Sequence, residues 1–306
     1  MSVAIATWNI NSVRLRLPLV LDFLGRYGPD VLCLQEIKCQ NDQFPAKELA
    51  AAGYPHQAVH GQKGYHGVAI VSRFPLTDTS SRMFCEIDHA RHVSARVDLG
   101  RGPLTVHNFY IPAGGDEPDP GINLKFKHKL DFLNELSTWF CEPHFASNQL
   151  ICGDFNIAPH ENDVWSHKQL LKVVSHTPVE TEALNKLLSG GHGWVDLVRK
   201  HVPHEEKLYS WWSYRGRDWE ASNRGRRLDH IWSTTDIADH CTAAEVVKSA
   251  RGWGDKPSDH VPVLARFELT GSALGAPHLR AQPRDGVEIA SEIAPDAIGR
   301  PHREVG

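Results

Sequence analysis

Four short segments set acid, amide and imidazole groups at the ends of apolar stretches: Thr7-Trp8-Asn9-Ile10-Asn11, Leu34-Gln35-Glu36, Gly153-Asp154-Phe155-Asn156 and Ser258-Asp259-His260. A fifth, Arg227-Leu228-Asp229-His230, puts an acid inside an apolar run. Each has an ordinary explanation. Asn9 and Asn11 could satisfy backbone groups at a turn. Glu36 could cap a strand, Gly-Asp-x-Asn could be a turn, Ser258-Asp259 a helix cap, and Asp-His a surface pair. Together they are harder to dismiss, because a carboxylate on a buried strand is costly unless it finds a partner. A cleft shared at the ends of several strands would supply partners. Oxygen donors without thiolates or paired histidines favour Mg²⁺, or Mn²⁺, over zinc. His56/His60 and His201/His204 lack partners at zinc spacing. There is no Gly-x-Ser-x-Gly elbow and no Gly-rich phosphate loop. An acid, an amide and an imidazole around such a metal suit phosphodiester hydrolysis. One group activates water, the metal neutralises phosphate charge, and a cation or acid steadies the transition state.

The elements that must position these groups are legible in outline. β-branched and aromatic residues predict strands over 3–8, 31–35, 67–72, 93–99, 104–111, 149–152, 228–232 and 261–269. Helical spacing of Leu15, Leu19 and Phe23, stopped by Gly28-Pro29, predicts a helix over 16–26. Phe126, Leu130, Leu133 and Phe140 predict another over 124–140, and a third, over 180–188, ends at Gly190-Gly191. Strands and helices alternate without strict βαβ order, so layered sheets and helices are expected rather than a barrel. Residues 1–270 read as the catalytic domain. From Gly271 to Gly306 the chain turns to Gly, Ala, Pro and charge with few large apolar residues, and a flexible tail is expected there.

No apolar run in the 306 residues approaches the ~18 needed to span a membrane, and no basic segment precedes an apolar one at the N-terminus. A cytoplasmic location and a monomer are therefore expected. The six scattered cysteines read as reduced thiols, with Cys33 and Cys152 as small buried residues. A net charge of −4 argues weakly against a nucleic-acid partner, but the distribution of charge matters more than its sum.

The order Asn9, Glu36, Tyr110, Asp154-x-Asn156, Asp229 and Asp259-His260 resembles the endonuclease/exonuclease/phosphatase superfamily. The tracts Phe44-Pro45, His60-Gly61-Gln62-Lys63-Gly64, Gly67-Val68-Ala69, Ser210-Trp211-Trp212-Ser213-Tyr214-Arg215 and Lys256-Pro257-Ser258-Asp259-His260 resemble its exonuclease III, DNA-repair branch. The resemblance covers 3–269. It implies a four-layer α/β sandwich of two packed mixed β-sheets flanked by helices, with the motif residues at one end. It implies Glu36 as the main metal ligand, Asn9 and Asp259 close to the metal, and Asp154 and Asn156 beside it. Asp154 would orient or deprotonate the attacking water, and Asn156 would place that group and the phosphate. His260 would contact the scissile phosphate with Asp229 behind it, fixing its tautomer and favouring its charged form. Tyr110 would contact the phosphate or assist the leaving oxygen.

The resemblance also implies double-stranded DNA as partner, cut 5′ to abasic sites and shortened from 3′ ends. Arg215, Arg217, Arg224, Arg226 and Arg227, interleaved with Trp211, Trp212, Tyr214 and Trp219, suit phosphate contact and stacking. A solvated loop with Trp211 buried is the plainer alternative. Lys63 with Tyr65, and Arg91, are further candidate contacts. Trp212 or Trp211 would line a pocket for an abasic sugar, and Arg91 would enter the duplex. One departure is Asp116-Glu117 after Tyr110, acids that either repel DNA or form a solvated loop. Two competing readings are a superfamily cousin acting on RNA, phosphoinositides or sphingomyelin, and a catalytically dead DNA-binding protein.

Overall fold

The fold comes from a computed structural model that describes residues 1–269 except Arg101 and Arg217. The expected tail over 271–306 and the candidate contact Arg217 lie outside the described residues.

In chain order, β1 (Ser2–Asn9), β2 (Val31–Gln35), β3 (His56–His60) and β4 (Val68–Ser72) enter the first sheet. Next, β5 (Leu76–Ser80), β6 (His92–Asp98), β7 (Pro103–Tyr110), β8 (Gln149–Asp154) and β9 (Val195–Asp196) enter the second. β10 (Trp211–Trp212) and β11 (Gly225–Arg226) pair with each other, and β12 (Asp229–Ser233) returns to the second sheet. β13 (Cys241–Val246) and β14 (Val263–Glu268) close the first. Each main sheet has six strands, in the orders β13-β14-β1-β2-β4-β3 and β5-β6-β7-β8-β12-β9. Both are mixed: β1/β2 and β7/β8 run parallel, and their other neighbours antiparallel. The helices Leu17–Tyr27, Leu124–Trp139 and Pro178–Ser189 match the three expected from spacing. Leu15 is exposed, so the first of these helices buries Val20, Phe23 and Leu24 instead.

Alternation along the strands builds the layers. On β1, Val3 and Ile5 join Cys33, Ile70, Val106, Cys152, Ile231 and Val263 in the core between the sheets. Ala4, Ala6 and Trp8 face the other way, onto Phe23 and Leu24. Ile151 and Trp232 of the second sheet face Phe132, Leu136, Leu184 and Leu187. Helix, sheet, sheet and helix thus make four layers, as the resemblance implied. Each fully buried branched side chain contributes about 1.5–3 kcal/mol.

The same alternation makes the site. Between the sheets, β1 reads Val3, Ile5, Thr7, Asn9; β2 reads Val31, Cys33, Gln35; β7 reads Val106, Asn108, Tyr110; β8 reads Leu150, Cys152, Asp154. The inter-sheet layer therefore changes from apolar to polar towards one end. Buried Gln35 ties the transition together, donating to Thr7 Oγ1 at 2.8 Å and Asn108 Oδ1 at 2.7 Å.

Candidate active site

Glu36 follows β2 directly, at a φ of 48°, and Lys38 repeats the left-handed conformation at 52°. Such backbone is unfavourable for a side-chain-bearing residue and persists only where its surroundings hold it. Here Ser12 N donates to Glu36 O, Ile37 N to Gly67 O and Lys38 N to His66 O. The carboxylate then meets the second sheet. Tyr110 Oη donates to Glu36 Oε1 at 3.0 Å, as does Asn9 Nδ2 at 3.0 Å. Asn9 Nδ2 also reaches Asp154 Oδ2 at 2.8 Å, so one amide links the acids of the two sheets.

Asp154 ends β8 one residue after Gly153, whose φ is 140°. A Cβ on Gly153 would lie 1.9 Å from Phe109 O, so β7 and β8 could not approach as they do with any other residue there. Asn156 (φ 55°) folds back on Asp154, its backbone N donating to Oδ1 at 2.9 Å and its side chain to Oδ2 at 3.3 Å. The Asn156 amide is held in turn by Ile111 O at 2.9 Å.

Opposite stands His260. Its Nδ1 lies 2.9 Å from Asp229 Oδ2 and its Nε2 3.6 Å from Asp154 Oδ2. Ser210 Oγ donates to the same Asp229 oxygen at 2.6 Å, while Asp229 Oδ1 is buried without a hydrogen-bond partner. Burial disfavours charge on His260, but Asp229 and Asp154 outweigh it and push its pKa up to about 10. Burial raises Asp154 to about 7; His260 opposes that rise, and Asp229 adds to it. Tyr110 is pushed well above the usual phenol value by burial and by the charges of Glu36 and Asp154. Burial would raise Glu36 too, yet Lys38 at 2.8 Å holds it below its ordinary value.

Asp259 sits between Asn11 Nδ2 and Trp211 Nε1, both at 3.0 Å. Asn9, Glu36, Tyr110, Asp154, Asn156, Asp229, Asp259 and His260 thus gather at one end of the sandwich. The atoms of Asp154, Asp229 and His260 come within 4.8 Å of one another in ligand-like fashion. That trio is already joined internally, by a hydrogen bond between His260 and Asp229 and an ion pair between His260 and Asp154, with Asp229 Oδ2 accepting two donors. Outside that trio, the acid that could hold a hard cation is Glu36, with the Asn9 amide against it and Asp259 in the same cavity. There Lys38 Nζ already places a positive charge against Glu36 and Asn11 Oδ1 (2.6 Å). The donor chemistry there fits a divalent ion of the magnesium kind.

The candidate DNA contacts divide. Lys63 and Tyr65 are exposed, and Arg215 and Arg224 are exposed at the mouth of the site. Trp211 lines the site beside His260. Arg227 does not qualify. It is fully buried and bridges Asp163 (2.9 Å) and Asp196 (2.7 Å), a core ion cluster completed by Arg199. Trp212 is 2% exposed, packed on Tyr209 and Trp219. Arg91 is 7% exposed, stacked over the Tyr110 ring with Nη1 on Tyr110 O, so it braces Tyr110 rather than projecting outward. Ser258 caps no helix; its hydroxyl donates to Asn9 O and accepts from His260 N. Sequence reasoning missed Lys38 and Ser210. Lys38 stands two residues beyond Glu36, where a charged residue after a strand-end acid was a usable signal.

The sequence profile of the Endonuclease/Exonuclease/phosphatase family matches residues 6–260. The chain belongs to that family. Exodeoxyribonuclease III of Haemophilus influenzae is 32% identical over 278 residues, covering 86% of this chain and 98% of that one. Among solved structures, an AP endonuclease from Archaeoglobus fulgidus superposes with a TM-score of 0.80 at 34% identity, covering 87% of this chain and all (100%) of its own. A 3′ phosphatase from Neisseria bound to a product DNA hairpin gives 0.78 at 32% identity, with 87% and 100% covered. The two six-stranded sheets flanked by helices are the α/β fold of these relatives. No helix among the described residues is long and apolar enough to cross a membrane.

Proposed function

We propose that this family member is a DNA-repair hydrolase, an exodeoxyribonuclease III or abasic-site endonuclease in type. It would cut duplex DNA 5′ to abasic sites and remove nucleotides or phosphate groups from 3′ ends, with Mg²⁺ as cofactor. The observation that carries the reading is the continuous chain Glu36–Asn9–Asp154–His260–Asp229 across the two sheets. It is supported by relatives of DNA-repair type matched along almost their whole length. Six free cysteines suit a reducing cytoplasm.

The residues divide the work by charge. Glu36, with Asn9 and Asp259 near, would hold a divalent ion, which would supply charge neutralisation at the phosphate. His260, kept protonated by Asp229, offers a fixed cation to a non-bridging phosphate oxygen. Asp154 is held by Asn9 and Asn156 with a pKa of about 7, close to what a general base at neutral pH needs. It would take the proton of the attacking water. Tyr110 keeps its phenolic proton and can donate it or a hydrogen bond towards the scissile phosphate. The net charge of −4 does not oppose DNA, since Arg215, Arg224 and Arg226 collect at the pocket.

The test is end-labelled duplex DNA with one abasic analogue, incubated with Mg²⁺ or with EDTA, beside Glu36→Ala. Mg²⁺-dependent incision 5′ to the lesion, lost in the variant, is the expected result. Shortening from the 3′ end alone would make exonuclease the main activity. No cleavage by folded protein would overturn the reading and favour a cousin's substrate.

A further inference from the structure

Three guanidinium groups, Arg215, Arg224 and Arg226, line the same cavity of about 570 Å³ as Glu36, Asp154 and His260. Among the described residues, no ion pair with a carboxylate involves any of the three. Arg215 and Arg224 are exposed, with Arg224 over the ring of Trp165, whereas Arg226 is built into the wall. Its Nη1 donates to Val174 O at 2.9 Å and Ser175 Oγ at 2.7 Å, and its guanidinium lies over the Trp211 ring at 5.3 Å. Its Nε is buried with no hydrogen-bond partner. Glu180, the carboxylate that acts on it, is taken up by Lys129, Ser175 N and Thr177. A half-buried cation with an unpaired donor is unfavourable by itself, and an anionic oxygen fork is what its geometry matches.

We propose that Arg226 is a specificity-determining residue that fits this pocket to a 3′-terminal phosphomonoester of DNA, in preference to the neutral sugar of an internal abasic nucleotide. The inference rests on the nuclease reading above. A phosphomonoester carries about −1.5 to −2 charges at neutral pH, a backbone diester one, so the pull of an unpaired cation is greater on the terminus. A neutral sugar laid against Arg226 would leave its desolvated charge without a counter-ion and its N–H groups other than those on Nη1 without an anionic acceptor. The cavity's carboxylates do not cancel this. Glu36, Asp154 and Asp259 belong to the metal and base end, and Asp116 is exposed. In the reaction, water adds to phosphorus as the bond from phosphorus to O3′ breaks. One water proton passes to Asp154, O3′ takes one from the Tyr110 hydroxyl, solvent carries the Asp154 proton back to Tyr110, and inorganic phosphate leaves beside a 3′-hydroxyl.

The test compares the full chain with Arg226→Leu and Arg226→Lys, with Mg²⁺, on two duplexes of one sequence. One ends in a 3′-phosphate; the other carries an internal tetrahydrofuran abasic analogue. The ratio of kcat/KM for phosphate release to that for incision is expected to fall about tenfold or more in Arg226→Leu. Arg226→Lys, which keeps charge but loses the fork, should recover part of it, and it carries the test alone if the leucine variant melts early. A wild-type chain that cuts neither duplex would sink the nuclease reading itself. Cutting of both with a ratio unchanged by the variants, whether the two rates hold or fall together, would overturn this proposal and leave Arg226 as a strut for residues 173–175.

Discussion

His260 is the residue whose state depends most on its neighbours. Removing the charge of Asp229 removes the largest effect that raises its pKa, while the burial that lowers it remains. In Asp229→Asn the imidazole should therefore lose its extra proton at a markedly lower pH, read by NMR titration of the ring nitrogens. Turnover should fall by about 10² or more, the scale of a lost proton-transfer or charge partner. A titration identical to wild type would exclude Asp229 as the group that keeps His260 charged. Most of this site could be read from residue types alone, because an acid ending an apolar strand advertises an unusual partner. Arg227 and Arg91 could not. An arginine among tryptophans looks like a DNA contact until Asp163 and Asp196, 64 and 31 positions away, are seen to meet Arg227. Nothing local to either acid announces that meeting.

At the scale of elements, the helix Leu124–Trp139 does more than cover the second sheet. It sends buried Lys129 to Asn156 O at 2.8 Å and to Glu180 at 2.5 Å, while Glu180 gathers Ser175 N and Thr177. One ion pair thus fixes the loop behind Asp154 and the segment that tethers Arg226. Lys129→Met should destabilise the chain by about 3–5 kcal/mol, because Glu180 is left charged and buried, and Glu180→Leu added to it should restore part of the loss. Chemical denaturation of the single and double variants decides this; additive losses would argue against a coupled pair. Gly153→Ala should be at least as damaging, since its methyl meets the Phe109 carbonyl and forces β7 from β8. Strands such as β1, β7 and β8 were legible from their apolar alternation. β5 and β13 were not, because Leu-Thr-Asp-Thr-Ser and Cys-Thr-Ala-Ala-Glu-Val are largely exposed edge strands whose few core contacts, Leu76 in one and Cys241, Ala244 and Val246 across a register shift in the other, make no regular alternation.

For the whole molecule, buried histidines set the limits of stability in pH. His107, buried against His92 and Gln149, has its pKa lowered from 6.5 to about 3 by burial, and His92 is lowered as well. The unfolded chain binds these protons first, so stability is full above pH 6.5 and is lost as pH falls towards 3. Each histidine contributes about 1.4 kcal/mol per pH unit to that loss. His260 acts in the other direction. Its folded pKa is raised to about 10, so its contribution is complete below 6.5 and is lost as pH rises to 10. Urea unfolding at pH 4.5, 7 and 9.5 should therefore peak at the middle value, and His107→Gln should flatten the acid side. Asp154, raised to about 7, opposes this limb between pH 7 and 4, so the comparison is between the two proteins: a wild type and a His107→Gln variant with the same change from pH 7 to 4.5 would rule the His107 contribution out.

The first sheet draws its strands from both ends of the described chain, with β14 pairing β1 in register from Ser2 with Glu268 to Thr7 with Val263. Glu36 is therefore translated early, while Asp259, His260 and the strand that clamps β1 leave the ribosome late. Until they arrive, Asp154 has no imidazole beside it and Trp8 has no His260 carbonyl to hold its indole. A nascent chain stalled before that point carries Glu36 and Asp154 but not the imidazole that faces Asp154.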